Sequence, residues 1–495
     1  MGDLLGGAAT HAGSAICEPS RVGAWCKSLW PATHMPVLSR RRFLAASAAS
    51  AASAGVPAIA APGDLDVVII GAGAAGIAAA RRLTGTRARI TLIEASDRLG
   101  GRCFTESATF GVPFDRGAHW IHAPDLNAVA TLATKSGFNV YPASPGGRVR
   151  MGRRYARTGE MEDYLTATVR ANRAIAAAGR GRQDVSCAQA LPKDLGEWQP
   201  TIEFVLGPFG CGKDLAQLSA LDFSRSLERN DDIFCREGLG AIIAKLADGL
   251  PVQLSRPASH IDWSERNRIE IRTAKGYLYA RAVIVTASTG VLTSNKLTFE
   301  PELPRHYVDA IEKLGLGSYD HVALDLPGNP LGLQRDELVF EKAESPRTAA
   351  ILANISGTTL CTIEVAGKFG ADLAASGEPA MVSFALDWLT SLYGPDVRRA
   401  VKTATATRWN HDPWTLGAFS AAAPGGQWAR AALAEPVRDR IFFAGEAAHE
   451  TLWGTVGGAW ASGERAADMV LRKLGLAGGS PEAKSSAATR PPRRR

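Results

Sequence analysis

The sequence predicts the α/β class, with a doubly wound, Rossmann-type sheet at its centre, on two observations. A buried apolar strand, Asp66 to Ile70, runs into a glycine turn and then an alanine-rich helix in "DLDVVIIGAGAAGIAAARRL", and a second strand in "ARITLIEA" ends on Glu94. That order is the one that holds a dinucleotide. Gly71 permits the tight turn, Gly73 lets a pyrophosphate approach the backbone, and Gly76 lets helix and strand pack closely. Ala74 and Ala75 open the helix at its anion-binding end. Glu94, followed by Ala95, stands eighteen residues after Gly76, where a carboxylate can accept ribose hydroxyls.

The next turn separates one dinucleotide from another. In "SDRLGGRCFT", Gly100 and Gly101 form a second glycine turn and Arg102 brings a guanidinium that can clamp the pyrophosphate, which a nicotinamide site does not need. With these residues the chain resembles the flavin-containing amine oxidase family, which includes monoamine and polyamine oxidases. Its order of G-x-G-x-x-G, Glu and R-x-G-G-R is met from Gly71 to Arg102, Arg98 opening the last pattern. The resemblance covers roughly residues 64 to 475 and implies FAD.

Later stretches extend it. "RIFFAGEAAHETLWGTVGGAWASGERAADMVL" is similar to the family's closing flavin motif: a strand from Ile441 to Ala444, then Gly445 and Glu446, then a helix that Thr455 can N-cap and Val456 begins. Gly457 and Gly458 are expected to let a flat ring approach the first turn, whose positive end suits the flavin N1 and C2 carbonyl. "YARAVIVTASTGVL", Tyr279 to Leu292, resembles the strand and turn that complete the flavin domain, with Ser288 in place of the usual proline. "REGLGAIIAKLADGLPVQLSRPASHI" resembles its helix and following strand, with Ala258 where a larger aliphatic often stands.

The implied fold is therefore a discontinuous FAD-binding Rossmann-type domain from 62–130, 223–299 and 406–476, plus a mixed-sheet α+β substrate domain from 131–222 and 300–405. FAD is expected to be held noncovalently, because "AAHETLWG" has no thiol where monoamine oxidases attach theirs.

For the substrate side, "FDRGAHWIHAPD" offers His119, Trp120 and His122. The H-x-x-H spacing lacks a third ligand, so metal is not expected and each histidine has a purely structural alternative. The segment resembles the W-I-H-G strip of polyamine oxidases, which implies that His122 faces the substrate channel. The match of "TRWNHDPWTLGAFSAAAPG" implies that Trp409 sits near the flavin and that Phe419 is one wall of an aromatic cage, Thr455 taking the place of the second wall. In "GLGSYDHVALDL", His321 occupies the slot of a family lysine tied to oxygen reactivity. As a mostly neutral imidazole at pH 7 it predicts slow reoxidation by oxygen.

The implied reaction is oxidation of a primary or secondary amine, polyamine-like ones included. Electrons pass to O2 or to a redox protein or quinone, and the imine is hydrolysed to a carbonyl compound. Alternatives are a desaturase or oxidase of a non-amine substrate on the same fold, and a flavoprotein without turnover. Specificity lies in the poorly matched region 145–225.

Composition bounds the rest. The chain has 495 residues, 46% of them apolar, enough for a large core. Its net charge of +7 sits at the ends: five Lys/Arg against two Asp/Glu in residues 1–60 and five against one in 477–495. A nucleic-acid surface is thus not expected, and "ATRPPRRR" reads as a disordered basic tail. Seven cysteines without C-x-x-C spacing, Cys17 and Cys26 among them, predict free thiols and at most two disulfides. Ser39, Arg40, Arg41, Phe43 and Leu44, a weakly apolar run and Ala58-Ile59-Ala60 read as a leader, 1–61, for the twin-arginine export machinery, which carries folded, cofactor-loaded proteins. Met35 offers an alternative start, and the expected location is the periplasm.

Overall fold

A computed structural model describes residues 65–144, 146–226 and 231–476. The leader and the basic tail lie outside the described residues.

The first sheet has eight strands. Leu65–Ile70 lies at its centre, parallel to Ile90–Ile93 on one side and to Gly276–Val285 on the other, with Val67 opposite both Ile90 and Ala282. Ile441–Phe443 adds to the far edge of Gly276–Val285 in parallel, Val283 opposite Ile441. Ala258–Asp262 and Ile269–Thr273 extend the sheet antiparallel through the first half of Gly276–Val285. Parallel strands covered on both faces are nearly all apolar: all six residues of LDVVII are buried, and the one charged member, Asp66, is paired with Arg281 at 3.0 Å.

Alternation sends the two sets to different layers. Val67 and Ile69 join the helices Ala74–Thr84 and Val456–Leu474, with Ile77, Leu83, Trp460 and Val470. Val68 and Ile70 face Ile261, Trp263 and Ile271, together with Tyr307 and Ala310 of the helix Arg305–Lys313. Small residues let the first pair of helices approach: a Cβ on Gly463 would lie 2.0 Å from the Ala75 carbonyl oxygen.

The second sheet has seven strands, in the order Thr403–Ala406, Tyr319–Asp325, Leu360–Ala366, Ala350–Ala353, Glu337–Glu341, Arg148–Met151 and Arg154–Tyr155. All neighbours are antiparallel except Glu337–Glu341 with Arg148–Met151, so the sheet is mixed. Val322, Ile351, Ile363 and Val365 pack on Phe384, Trp388 and Leu389 of the helix Glu378–Tyr393. The opposite face, with Ala323, Ala350 and Leu352, packs with Tyr164 of the helix Thr158–Gly179 and with Trp198, Ile202 and Phe204. Register places His321 directly opposite Glu364. Among the described residues no helix is long and apolar enough to cross a membrane.

Candidate active site

One cavity of about 2000 Å³ runs from the glycine turns to the second sheet. It exceeds the roughly 300–1,000 Å³ of an ordinary small-ligand pocket and has room for a dinucleotide and a second molecule. Of the sequence-predicted residues, Gly71, Gly73, Ala74, Ala75, Glu94, Ala95, Arg98, Gly100, Gly101, Arg102, Ala258, Gly445, Glu446, Thr455 and Val456 all line it. So do His122, His321, Trp409 and Phe419. Gly76 does not. It lies behind the wall, where a Cβ would come within 1.8 Å of the Gly71 carbonyl oxygen.

The cofactor end is shaped by backbone. Gly71 has φ +100° and no space for a Cβ, which would meet Thr286 Oγ1 at 2.5 Å. At Gly73 the nearest atom to a Cβ is the Gly100 carbonyl oxygen at 3.9 Å, so here the missing side chain leaves an opening. Gly73 and Gly100 form a parallel bridge that locks the two glycine turns together. This open, amide-lined cradle at a helix N-terminus fits a pyrophosphate. The buried Glu94 carboxylate accepts Ala72 N–H at 2.7 Å, Ser96 N–H at 2.9 Å and the Ser96 hydroxyl at 3.0 Å. The turn itself therefore aims it, and its remaining lone pairs are left for ribose hydroxyls.

The arginines differ from the expectation of a simple clamp. Arg98 donates to the Gly101 carbonyl at 2.7 Å and lies 4.2 Å over the Phe104 ring. Arg102 Nη1 donates to the Ala418 carbonyl and to Glu446 Oε1 at 3.0 Å, joining the second glycine turn to the closing motif. Glu446 also accepts Ser420 N–H, the Ser420 hydroxyl and Gly454 N–H. Burial alone would raise its pKa, but Arg102 and these donors outweigh it and hold Glu446 below the usual carboxylate range. Thr455 caps the last helix, accepting Gly458 N–H at 3.0 Å and donating to the Leu452 carbonyl at 2.7 Å.

Gly457 and Gly458 correct the expectation of an open first turn. A Cβ at either would strike protein, the Asn127 side chain at 2.7 Å or the Leu452 carbonyl oxygen at 2.0 Å. Their smallness serves packing within the protein.

At the far end both histidines of the strip line the cavity, each held by its own carboxylate. His122 Nδ1 pairs with Asp232 at 2.9 Å and stacks parallel to Trp120, whereas His119 Nδ1 pairs with Asp115 at 2.8 Å. Among the described residues no three potential ligands converge on a metal position. Trp409 Nε1 donates to the Arg116 carbonyl at 2.9 Å, fixing the ring near Arg98.

His321 overturns the expectation of a neutral imidazole. Its Nδ1 lies 2.5 Å from Glu364 and its Nε2 3.0 Å from the Gly117 carbonyl oxygen, and two oxygen acceptors on one ring call for two N–H donors. Burial works against the charge, but Glu364 and Gly117 prevail and raise the pKa to about 9. His321 is an imidazolium at neutral pH.

Residues that sequence reasoning missed complete the chamber. Tyr319 stands 5.8 Å from Phe419, ring centre to ring centre, so that a second aromatic ring lines the cavity beside Phe419 although Thr455 brings none. Period two along Tyr319, His321 and Ala323 was the available signal. Phe209 packs on Tyr319 and Phe340, and no local pattern announced this cluster.

A dinucleotide cradle opening onto a chamber walled by Tyr319, Trp409 and Phe419 fits the class of redox flavoproteins. The sequence profile of the flavin containing amine oxidoreductase family matches residues 74–471, and the chain belongs to that family. Its cofactor is accordingly a flavin. It is similar to human lysine-specific histone demethylase 2, 27% identical over 453 residues that cover 82% of this chain and 53% of that protein. The chain thus spans about half of that relative. Polyamine oxidase 4 of Oryza sativa subsp. japonica is 27% identical over 449 residues, 84% of this chain and 90% of its own. Two solved structures share the fold: cyclohexylamine oxidase from Brevibacterium oxydans (TM-score 0.70, 21% identity, 83% of this chain and 100% of that one) and putrescine oxidase bound to putrescine (0.69, 19%, 82% and 99%).

Proposed function

We propose that the protein oxidises a primary or secondary amine with bound FAD, within the discontinuous two-domain division given above. The observation that carries this reading is the continuity of the cavity from Gly73 and Glu94 to Phe419 and Tyr319. Gly73, Ala74 and Gly101 amides would receive the pyrophosphate, Glu94 the ribose, and the Thr455-capped helix end the flavin ring. Bound FAD supplies the acceptor for a hydride equivalent leaving the carbon beside the amine nitrogen. The resulting imine adds water and releases a carbonyl compound with ammonia or a smaller amine. Phe419 and Tyr319 orient the amine, and the walls keep water away until the hydride has left.

FAD is held noncovalently in this reading. Cys103 is a thiol on the cavity wall, and burial pushes its pKa up to about 12, which makes it a poor nucleophile. Tyr164, Val205, Phe209, Leu338 and Phe340 line the chamber and suit an amine with an apolar body. Carboxylates also reach the cavity wall: Asp232 is paired with His122 at 2.9 Å, and Asp125 and Asp231 line the cavity as well. O2 is the acceptor in this reading, with hydrogen peroxide as product; the charge of His321 on the chamber wall is balanced by Glu364 at 2.5 Å, so the pair itself favours no acceptor. A redox protein or quinone is the alternative acceptor.

Anaerobic mixing with a panel of aromatic, alicyclic and polyamine substrates tests the reading: at least one amine should bleach the oxidised flavin band. Bleaching by no amine overturns it in favour of a non-amine desaturase or a flavoprotein without turnover. Export by the twin-arginine machinery to the periplasm rests on the sequence around Arg40 and Arg41, and replacing both by lysine should hold the protein in the cytoplasm.

A further inference from the structure

In the chamber wall, to which His119 and His321 both belong, two histidine–carboxylate pairs converge on a second, small cavity. Asp115 accepts His119 Nδ1 at 2.8 Å, Leu239 N–H at 3.1 Å, Gly240 N–H at 3.3 Å and the Thr105 hydroxyl. Asp115 thus accepts the Nδ1–H of His119, and no acceptor stands at Nε2 to call for a second N–H. Nε2 is then a bare acceptor. It is buried and has no partner, in a residue only 8% exposed. Such an orphan is costly unless something donates to it.

Across from it stands the second pair. Glu364 receives the His321 N–H on Oε2 and the Thr362 hydroxyl, at 2.7 Å, on Oε1, and each oxygen keeps a further lone pair. A small cavity of about 10 Å³, room for about one water molecule, is lined by Asp115, His119, His321, Thr362 and Glu364. A water here meets two acceptors with two hydrogens.

We propose that this cavity holds one structural water donating to His119 Nε2 and to Glu364, which makes His119 a positioning residue for the cationic His321 on the chamber wall. The water gives the Glu364 carboxylate one more donor, and the carboxylate in turn holds the imidazolium in place. Its consequence for catalysis rests on the amine-oxidation reading; the water and the coupling do not.

The sign of the coupling follows from charge. While Glu364 and His321 share their proton the pair is neutral overall, and losing it leaves a net charge of −1. Any loss of polar support therefore disfavours the proton's departure. The other titratable groups facing His321 are Asp320 and Tyr319 on its own strand and Asp115 with His119 behind it, with His411 reaching it through Asp320. Of these, only His119 is altered by the replacement that tests the coupling.

His119→Asn keeps an N–H for Asp115 but lacks the acceptor in the cavity. In the flavin-loaded protein, titration of 15N-labelled histidines should show His321 holding its proton about tenfold more tightly in this variant. An unmoved titration in a folded variant overturns the coupling. A crystal structure of the unmodified holoenzyme should show a water within hydrogen-bond distance of both His119 Nε2 and Glu364, and a dry cavity overturns the proposal even if the variant does not fold. Neither measurement needs turnover, so a protein that oxidises no amine would still answer both.

Discussion

The two ends of the cavity are made of different material. Around Gly71, Gly73 and Gly100 the wall is backbone, with positive φ angles and contacts too close for a side chain at Gly71 and Gly100 and an opening at Gly73. Around Tyr319, His321 and Phe419 the wall is side chains, held by rings at about 6 Å and by a buried ion pair. A backbone wall has one shape and, where it is closed, tolerates no added atom. A side-chain wall can change size, yet its chemistry hangs on a charge. The first suits a cofactor that every turnover reuses; the second suits discrimination among substrates.

The largest effect should come from adding one methyl group to the backbone end. Gly76→Ala puts a Cβ 1.8 Å from the Gly71 carbonyl oxygen, and neither the strand end nor the helix start has room to yield. The overpacking should cost more than about 3 kcal/mol in denaturant unfolding and leave the purified protein without flavin. A variant that folds and turns yellow like the unmodified protein would show that this end is as adaptable as the other.

The next effect belongs to the charge. His321 has its pKa raised in the folded protein from 6.5 to about 9, so its contribution is fully present below pH 6.5 and is lost as pH rises through about 9. Stability should fall by about 2 to 3 kcal/mol across that window beyond the general trend. Glu364→Gln removes the carboxylate and should abolish this alkaline loss, as thermal melts at pH 6, 8 and 10 would reveal. An identical alkaline slope in both proteins would mean that His321 is not the group responsible.

How much of this was visible in the amino-acid order follows from the same contrast. The backbone end is local: Gly71 to Gly76, Glu94 and Arg98 to Arg102 lie within 32 residues and announce themselves by glycine spacing after apolar strands. The chamber gathers residues from the strip at 117–122, from 209, from 319–321, from 364 and from 419, and strand pairing alone sets Glu364 opposite His321. A histidine read in isolation has an ordinary pKa. Its charge depended on a partner 43 residues away. Arg102 shows the same limit within the legible region, since its direction was set by Glu446, 344 residues further on.

The smallest effect should come from trimming one ring of the side-chain wall. Phe419 faces Tyr319 at 5.8 Å with planes 43° apart, and Tyr319 also packs on Phe209 at 6.1 Å. Phe419→Leu keeps apolar bulk and removes the aromatic contact, worth about 0.5 to 1.5 kcal/mol, so flavin reduction by a bleaching amine should slow about two- to tenfold. Flavin content should not change, because the cradle lies at the other end. If Tyr319 and Phe419 form one wall, Tyr319→Leu should slow reduction similarly, and the double variant should lose less than the product of the two. Strictly multiplicative losses in stopped-flow reduction would mean that the rings act separately and that the amine touches only one of them.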